Sequence, residues 1–560
     1  MSHSGRAEWR ACIRDDRAGI RGGGIVLGDR HVLTCAHILL PATHDEQGTA
    51  HGPPSDDFQV EFVGRRRPGV PPGWARVAGG CWKPPQDDQR ADLALLELAD
   101  PLPEGTGPEV LRRLPSNARR PVRMFGFPAA VPTGVWARAR LGGDGGPGGE
   151  WIQLDRDPIG VAVEAGFSGT AVFDEETDQV VGIVVSYLAR GGAGTSWMIP
   201  VETIIRYLPR TREWVSGDSA VDESFARPVG PVVSDETVVR QLTEFLAPGA
   251  RPETRVIVTT PGSAVHAAVR DVVLRTSREF RPADAGPPGS APAAAGEPRP
   301  GRIDLALDVS GRTADEVSSR IVNWMSVGAS AKSLVDCLTG EPPPMSLVLD
   351  GVDRAADPEA LIAKVVLPIA ERMTGHDLRL LLVFHDDHAP SLGCAATELL
   401  GKRIAVLQAA EEAAWRSYLH VAERVTPVDP PKRSGAKLRL RLTALRVAAT
   451  RPGDTPLLPA VEVCRPLVEE ALAAAEEARR DLDAKLDERD RLRERLDAYR
   501  ASVPERLRED PALTALYREA HEALWHGPSD LAACAALVDR YGALVRRRGA
   551  GPDDQLAETS

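Results

Sequence analysis

Between residues 1 and about 210 the apolar positions come in short runs broken by Gly, Pro and Asp: GGGIVLG, HVLTCAHIL, FQVEFVG, ADLALLEL, PVRMFGFP, WIQLD, TAVFD, VVGIVVSYL and TSWMIPV. Runs of that length and rhythm predict an all-β barrel or sandwich. LGGDGGPGGE (141–150) reads as a glycine loop between two strands, and the polar stretch 211–230 reads as a linker. From 231 to 450 the pattern changes. RVIVTT, RIDLALDV, MSLVLDGVD and LRLLLVFHD are continuous apolar runs of the kind buried on both faces of a parallel sheet, and helical patterns such as SAVHAAVRDVVLRTS and PEALIAKVVLPIAERM lie between them. The Pro/Ala/Gly-rich tract at about 281–300 predicts a disordered insert.

From 451 to 550 the reading is helical. Leu482, Leu486, Leu496 and Tyr499 recur at helical spacing amid dense Arg, Asp and Glu, which predicts an amphipathic, coiled-coil-like helix up to a break at Pro504 and two more helices beyond it. The tail 551–560 is expected to be disordered. The fold class expected is therefore multidomain: an all-β N-terminal domain (1–210), an α/β middle domain (231–450) and an α-helical C-terminal domain.

A chain of 560 residues is too long for one hydrophobic core and suits three or four domains. Its 68 Lys and Arg against 80 Asp and Glu give a formal net charge of −12, which supplies no electrostatic reason to coat nucleic acid or an anionic membrane. No apolar run approaches the ~20 residues of a membrane-spanning helix, and the start of the chain lacks the apolar core of a signal peptide. Cys12, Cys35, Cys81, Cys337, Cys394, Cys464 and Cys534 are scattered without CxxC or Cys/His spacing, which speaks for a reducing compartment and against disulfides or a zinc site. A cytoplasmic protein with no cofactor, metal, nucleic-acid or membrane partner is expected.

Three segments carry candidate chemistry. Thr34-Cys35-Ala36-His37 closes a strand, Asp92 opens the apolar strand LALLEL, and Gly166-Phe167-Ser168-Gly169 forms a turn before TAVFD. Acyl transfer from a serine needs a base for its proton, an acid that holds that base in one tautomer, and backbone donors for the oxyanion. Glycine at 166 and 169 permits the backbone path that aims two amides at one spot. His31 is a rival base at the start of its strand. Asp87, Asp88 and Asp100 flank Asp92 in loops, and Asp174 reads as a turn residue.

His, then Asp, then Ser on a short-strand scaffold is the chain order of chymotrypsin-like proteases. Through TCAHIL, ADLALLEL, GFSGTAVF and the following VVGIVVS and SWMIPVETI, residues 5–208 resemble a trypsin-like serine peptidase of bacterial type. The resemblance implies a double β-barrel with His37 as general base, Asp92 as its orienting acid, Ser168 as nucleophile and the amides of Gly166 and Ser168 as oxyanion hole. It places Ser186 against Asp92 and the substrate cleft. It also places Ala162 and Val163 in the specificity pocket, where uncharged residues predict a small or medium apolar P1 side chain. Phe167 stands where secreted relatives carry an aspartate that pairs with a new N-terminus. Activation by clipping is therefore not expected, and the loop 162–168 is free to be held by packing against a partner or another domain.

In the middle domain RVIVTTPGSAVHAAVRDVV has the strand–turn–helix position of a phosphate loop, but Pro261-Gly262-Ser263 brings one glycine and no lysine. With Asp350 and Asp353 placed like Walker B acids, residues 235–420 resemble the inactive branch of STAND P-loop ATPases, which implies an adaptor rather than a nucleotide-driven switch. His521 and His526 lack partner ligands at metal spacing and read as surface or cap residues. The functional expectation is a latent intracellular serine endopeptidase, an effector of a bacterial antiviral conflict system gated by a protein partner through the C-terminal regions. The rival readings are a non-catalytic protease-fold scaffold and a housekeeping quality-control protease.

Overall fold

The computed structural model describes residues 9–15, 17, 19–40, 52–63, 72–114, 120–157, 160–186, 196–227, 232–247, 253–281, 303–325, 333–339, 345–372, 378–449 and 457–549. These fall into two compact units, 1–387 and 388–560. The insert expected at 281–300 and the tail from 551 lie outside the described residues.

The first unit opens with strands β1 (Arg10–Arg14), β2 (Ile20–Leu27), β3 (His31–Thr34), β4 (Phe58–Phe62), β5 (Gly73–Lys83) and β6 (Leu93–Leu98). They close into a barrel in the order β1-β2-β3-β6-β5-β4. Alternation along β4 shows why the register holds: Phe58, Val60 and Phe62 face in while Gln59 and Glu61 are half-exposed. Strands β7 (Leu111–Arg112), β8 (Pro121–Gly126), β9 (Val135–Gly145), β10 (Trp151–Arg156), β11 (Ala171–Asp174), β12 (Gln179–Ser186), β13 (Ser196–Pro200) and β14 (Val215–Ser216) follow. Six of them, β11-β8-β9-β10-β13-β12, close a second barrel because β12 also pairs with β11, and β7 and β14 extend its edge. Two closed six-stranded barrels in series are the chymotrypsin-like arrangement that the sequence led us to expect. Part of the expected glycine loop is strand, since β9 runs through Leu141 to Gly145.

Residues 211–227 are not a free linker. Val215 and Ser216 pair with Leu111 and Arg112, and Val221 and Phe225 are buried in the core of the region that follows. The segment looks polar because its polar groups are used locally: Asp222 Oδ2 accepts the Asp308 amide at 2.9 Å, and Ser219 donates to Glu279 at 3.0 Å.

That region holds a four-stranded parallel sheet of β15 (Thr254–Val258), β16 (Leu305–Asp308), β17 (Met345–Asp350) and β18 (Leu378–Phe384), in the order β15-β18-β17-β16. Every residue of β17 and β18 is buried, which accounts for their unbroken apolar runs. It is joined to the second barrel by ion pairs. Arg113 grips both oxygens of Glu279 at 2.9 Å, Arg281 reaches Glu150 at 3.1 Å, and Arg278 pairs with Asp144.

The second unit is helical. Pro390–Ala422 and Gly435–Ala449, expected within the middle domain, pack here with Leu457–Ala501 through Leu400, Ile404, Leu407, Leu438, Leu442, Val468 and Leu472. The long helix stops at Ala501, ahead of Pro504 as expected, and two helices, Pro511–Trp525 and Leu531–Gly549, pack on its end. His521 stacks on Trp525 with ring centroids 4.3 Å apart, and His526 caps the same helix. No described helix is long and apolar enough to cross a membrane.

Candidate active site

His37 leaves the end of β3 in a single 3-10 turn, and Asp92 stands one residue before β6, the strand that pairs with β3. That pairing brings the two together although 55 residues separate them. Asp92 Oδ1 accepts the His37 backbone N–H at 2.8 Å, and Asp92 Oδ2 lies 2.6 Å from His37 Nδ1. A carboxylate only accepts, so the imidazole proton sits on Nδ1 and Nε2 presents its lone pair. Ala91 and Asp92 both adopt left-handed backbone, with φ of 71° and 64°. Such conformations cost on the order of 1–3 kcal/mol each in non-glycine residues and concentrate where geometry serves a task.

The Asp92 side chain is 5% exposed and that of His37 is 35% exposed. Burial pulls the His37 pKa down, but the charge and hydrogen bond of Asp92 outweigh it and set the imidazole above its ordinary value. The neighbouring Cys35 thiol donates to the Val184 carbonyl at 3.3 Å. Burial, with the Asp92 charge adding to it, pushes its pKa well up, so this sulfur stays protonated and inert.

The Ser168 turn belongs to the second barrel and abuts the first. The Ser168 carbonyl accepts the Gly23 N–H at 2.9 Å, and the Gly169 amide donates to Val184 at 2.9 Å. Gly169, with φ of 78°, lies so close to the Gly23 carbonyl and the Thr34 hydroxyl that a Cβ there would stand 2.3 and 2.4 Å from them. At Gly166, φ of 100° and a would-be Cβ at 2.3 Å from the Phe127 carbonyl likewise require glycine. The residue after Ser168 is therefore held against Thr34-Cys35, and Cys35 stands two residues before His37.

The amides of the turn divide in an informative way. Phe167 N–H donates to Glu164 at 3.1 Å, Gly169 N–H to Val184 at 2.9 Å and Thr170 N–H to Phe167 at 3.1 Å. Among the described residues, the N–H groups of Gly166 and Ser168 donate to nothing, and no hydrogen bond joins Ser168 Oγ to His37. Unspent donors on either side of a spent one are what an oxyanion hole requires. The turn is fastened by Phe167, whose ring is fully buried in the second barrel's core against Gly126. Phe167 itself is thus anchored in its own barrel.

The remaining candidates fall as follows. His31 is buried on Trp214, ring centroids 4.8 Å apart, and burial with the Arg210 charge lowers its pKa; it is not placed as a second base. Asp88 accepts from the Arg90 backbone and guanidinium on the surface. Asp174 is more than a turn residue: it is 1% exposed and pairs with the equally buried Arg120 at 2.7 Å. Ala162 and Val163 are half-buried, and the Val163 carbonyl accepts from Ser196 at 3.2 Å. The Ser186 backbone pairs with Ser196, while its side chain lies outside the described residues. Gly23, Thr34 and Thr170, which lock the two barrels at the seam, were not singled out from sequence. The run Gly22-Gly23-Gly24 inside a strand pattern was the available signal of close approach.

A second cluster of buried titratable groups lies at the carboxyl ends of the parallel strands. Asp350 ends β17, His385 follows β18, and His266 sits in the first turn of the helix after β15. His385 Nε2 lies 2.9 Å from Asp350 Oδ1 and His266 Nε2 3.5 Å from Asp350 Oδ2. Burial raises the Asp350 pKa, but the two imidazoles outweigh it and hold it down to about 2. Asp353, the other acid placed like a Walker B aspartate, accepts the His385 backbone N–H at 2.7 Å.

Residues 22–183 match the family model of the trypsin-like peptidase domain. No curated protein matches the chain. Solved structures similar to it include a mutant of human heparin binding protein, at 14% identity over 37% of this chain and 92% of that one with a TM-score of 0.29. An inactivated protease paralogue of the scabies mite gives 15%, 37%, 96% and 0.28, and neuropsin from mouse brain gives 18%, 38%, 96% and 0.28. On the strength of the two closed barrels and the family match, the N-terminal part of this chain is a trypsin-like serine peptidase domain in fold.

Proposed function

We propose that this domain is a working serine endopeptidase. His37 takes the proton of Ser168 as its Oγ attacks the scissile carbonyl, Asp92 steadies the resulting imidazolium, and the amides of Gly166 and Ser168 receive the oxyanion. His37 then protonates the leaving amine, and water taken through the same base hydrolyses the acyl-enzyme. The observation that carries this reading is the pairing of a two-point Asp92–His37 contact with two unspent amides on the serine turn. Ala162 and Val163 favour an uncharged, apolar P1 residue.

The test is labelling of the full chain by a fluorophosphonate, which requires an activated serine; labelling that disappears in Ser168→Ala and His37→Ala supports the proposal. The missing Ser168–His37 hydrogen bond favours the rival, a peptide-binding scaffold, and failure to label in both the wild type and the junction variant Glu279→Gln supports that rival.

The finer reading is a latent protease whose activity answers to a protein partner engaging the α/β and helical regions, in a cytoplasmic bacterial defence setting, with the α/β region as a P-loop-like adaptor. Its support is the set of ion pairs from Glu279, Arg278 and Arg281 onto the second barrel. Glu279→Gln in the full chain should raise peptidase turnover without partner; an unchanged rate argues against gating through this junction.

A further inference from the structure

Three titratable side chains from three distant segments meet at the carboxyl edge of the four-stranded sheet, the crevice where open α/β sheets place their ligands. We infer that His266, Asp350 and His385 form a binding site for a divalent transition-metal ion of the zinc class, separate from the peptidase seam.

The donor atoms of the three all lie within 4.8 Å of one another. The two nitrogen-to-oxygen separations run to different carboxylate oxygens, 2.9 Å to Asp350 Oδ1 and 3.5 Å to Asp350 Oδ2, and each is near the edge of roughly 3.4 Å expected for a tetrahedron with metal bonds of about 2.1 Å. Two neutral imidazoles and one carboxylate suit zinc and its first-row neighbours and do not suit the all-oxygen preference of Mg2+. Three protein ligands leave one position for water or a bound molecule.

Hydrogen bonding alone serves this cluster poorly. The His266 contact at 3.5 Å is at the limit of a hydrogen bond, and His385 Nδ1 is buried with no partner. One cation between the carboxylate and both Nε2 atoms would replace the long His266 contact with a bond, while His385 Nδ1 keeps its buried setting. The immediate surroundings fix His385 from behind through its backbone N–H to Asp353.

Metal binding has a local consequence. Gly262 N–H now donates to His266 Nδ1 at 3.2 Å, so the imidazole proton is on Nε2. A metal at Nε2 moves that proton to Nδ1, and the Gly262 amide must turn away. Gly262 has φ of 83° and nothing within 4 Å of its would-be Cβ, so the turn has the room to do so. The ion would therefore reset the loop at the head of the helix Ala264–Thr276, where a phosphate loop would lie.

Cobalt(II) is the probe. The full chain, stripped by chelator, should bind one equivalent with the visible absorption of a four-coordinate site, and zinc should displace it. Binding should weaken at least tenfold in His385→Ala and persist in His37→Ala, which spares this cluster and disrupts the Cys35-His37-Asp92 group. Because His385→Ala removes a buried ring, His266→Cys is the companion: it should keep binding and add a thiolate-to-cobalt charge-transfer band. No visible band in the wild type, a band lost in His37→Ala but kept in His385→Ala, or His266→Cys binding without the new band would each overturn the site.

Discussion

The peptidase seam and the carboxyl edge of the parallel sheet each hold a buried aspartate against imidazole, yet they leave different nitrogens free. Asp92 spends both oxygens on one histidine, its backbone N–H and its Nδ1, so Nε2 remains for chemistry and the ring stays about one-third exposed. Asp350 spends one oxygen on each of two histidines, engages both Nε2 atoms and buries all three groups. The first arrangement leaves an accessible ring with Nε2 unengaged, as the proposed general base needs. The second makes a knot in which neither imidazole has its reactive nitrogen to spare, a geometry suited to holding an ion or a fold. Counting His and Asp would not separate them; the direction from which the carboxylate approaches does.

The largest break in this comparison is Ser168→Ala. It should lower kcat/KM on a fluorogenic peptide by about a million-fold, leaving only what binding and the oxyanion donors supply. Asp92→Asn comes next. An amide at 92 favours the wrong His37 tautomer, and kcat at pH 7 should fall by about ten-thousand-fold with the fold intact. In the other cluster, Asp350→Ala leaves two buried imidazoles without their anion. It should destabilise the chain by about 1–3 kcal/mol in urea unfolding, as leaving buried hydrogen-bonding groups without their partner does. A stability unchanged within error would mean that the knot is not an anchor.

The smallest effect is on the pH profile. His37 acts only when neutral, and Asp92 raises its pKa. The wild-type kcat/KM should therefore climb with pH through an apparent pKa above the ordinary ~6.5 of histidine, falling about tenfold per unit below it. In Asp92→Asn the raising influence is gone and burial alone remains, so the acid limb should move to lower pH. A limb that stays in place would show that some other group sets the profile.

How much of this was readable in the sequence follows from how local each signal is. His37, Asp92 and Ser168 each sit at the junction of a strand and a turn, so a few neighbouring residues betray their setting, and their chain order narrows the fold. The knot gave no such warning. Asp350 was visible at the end of an apolar run, but His266 lies in a helical pattern and His385 just past a strand, and only the sheet order brings them together. The segment 211–227 misled for a related reason. Its charged residues face specific partners such as Arg312, which lies 2.8 Å from Asp222, and polarity alone cannot tell a solvated linker from a hydrogen-bonded one. The helices 390–449 carry an ordinary helical pattern that fits either neighbouring region, so their membership in the second unit was not legible.

The ring of Phe167 has one last implication. Phe167 fastens the serine turn by hydrocarbon packing, an anchor on which neither ionic strength nor protonation acts directly. On the proposed peptidase reading, a restraint on activity would act from outside that hinge, by covering the cleft or by shifting the strands that frame it.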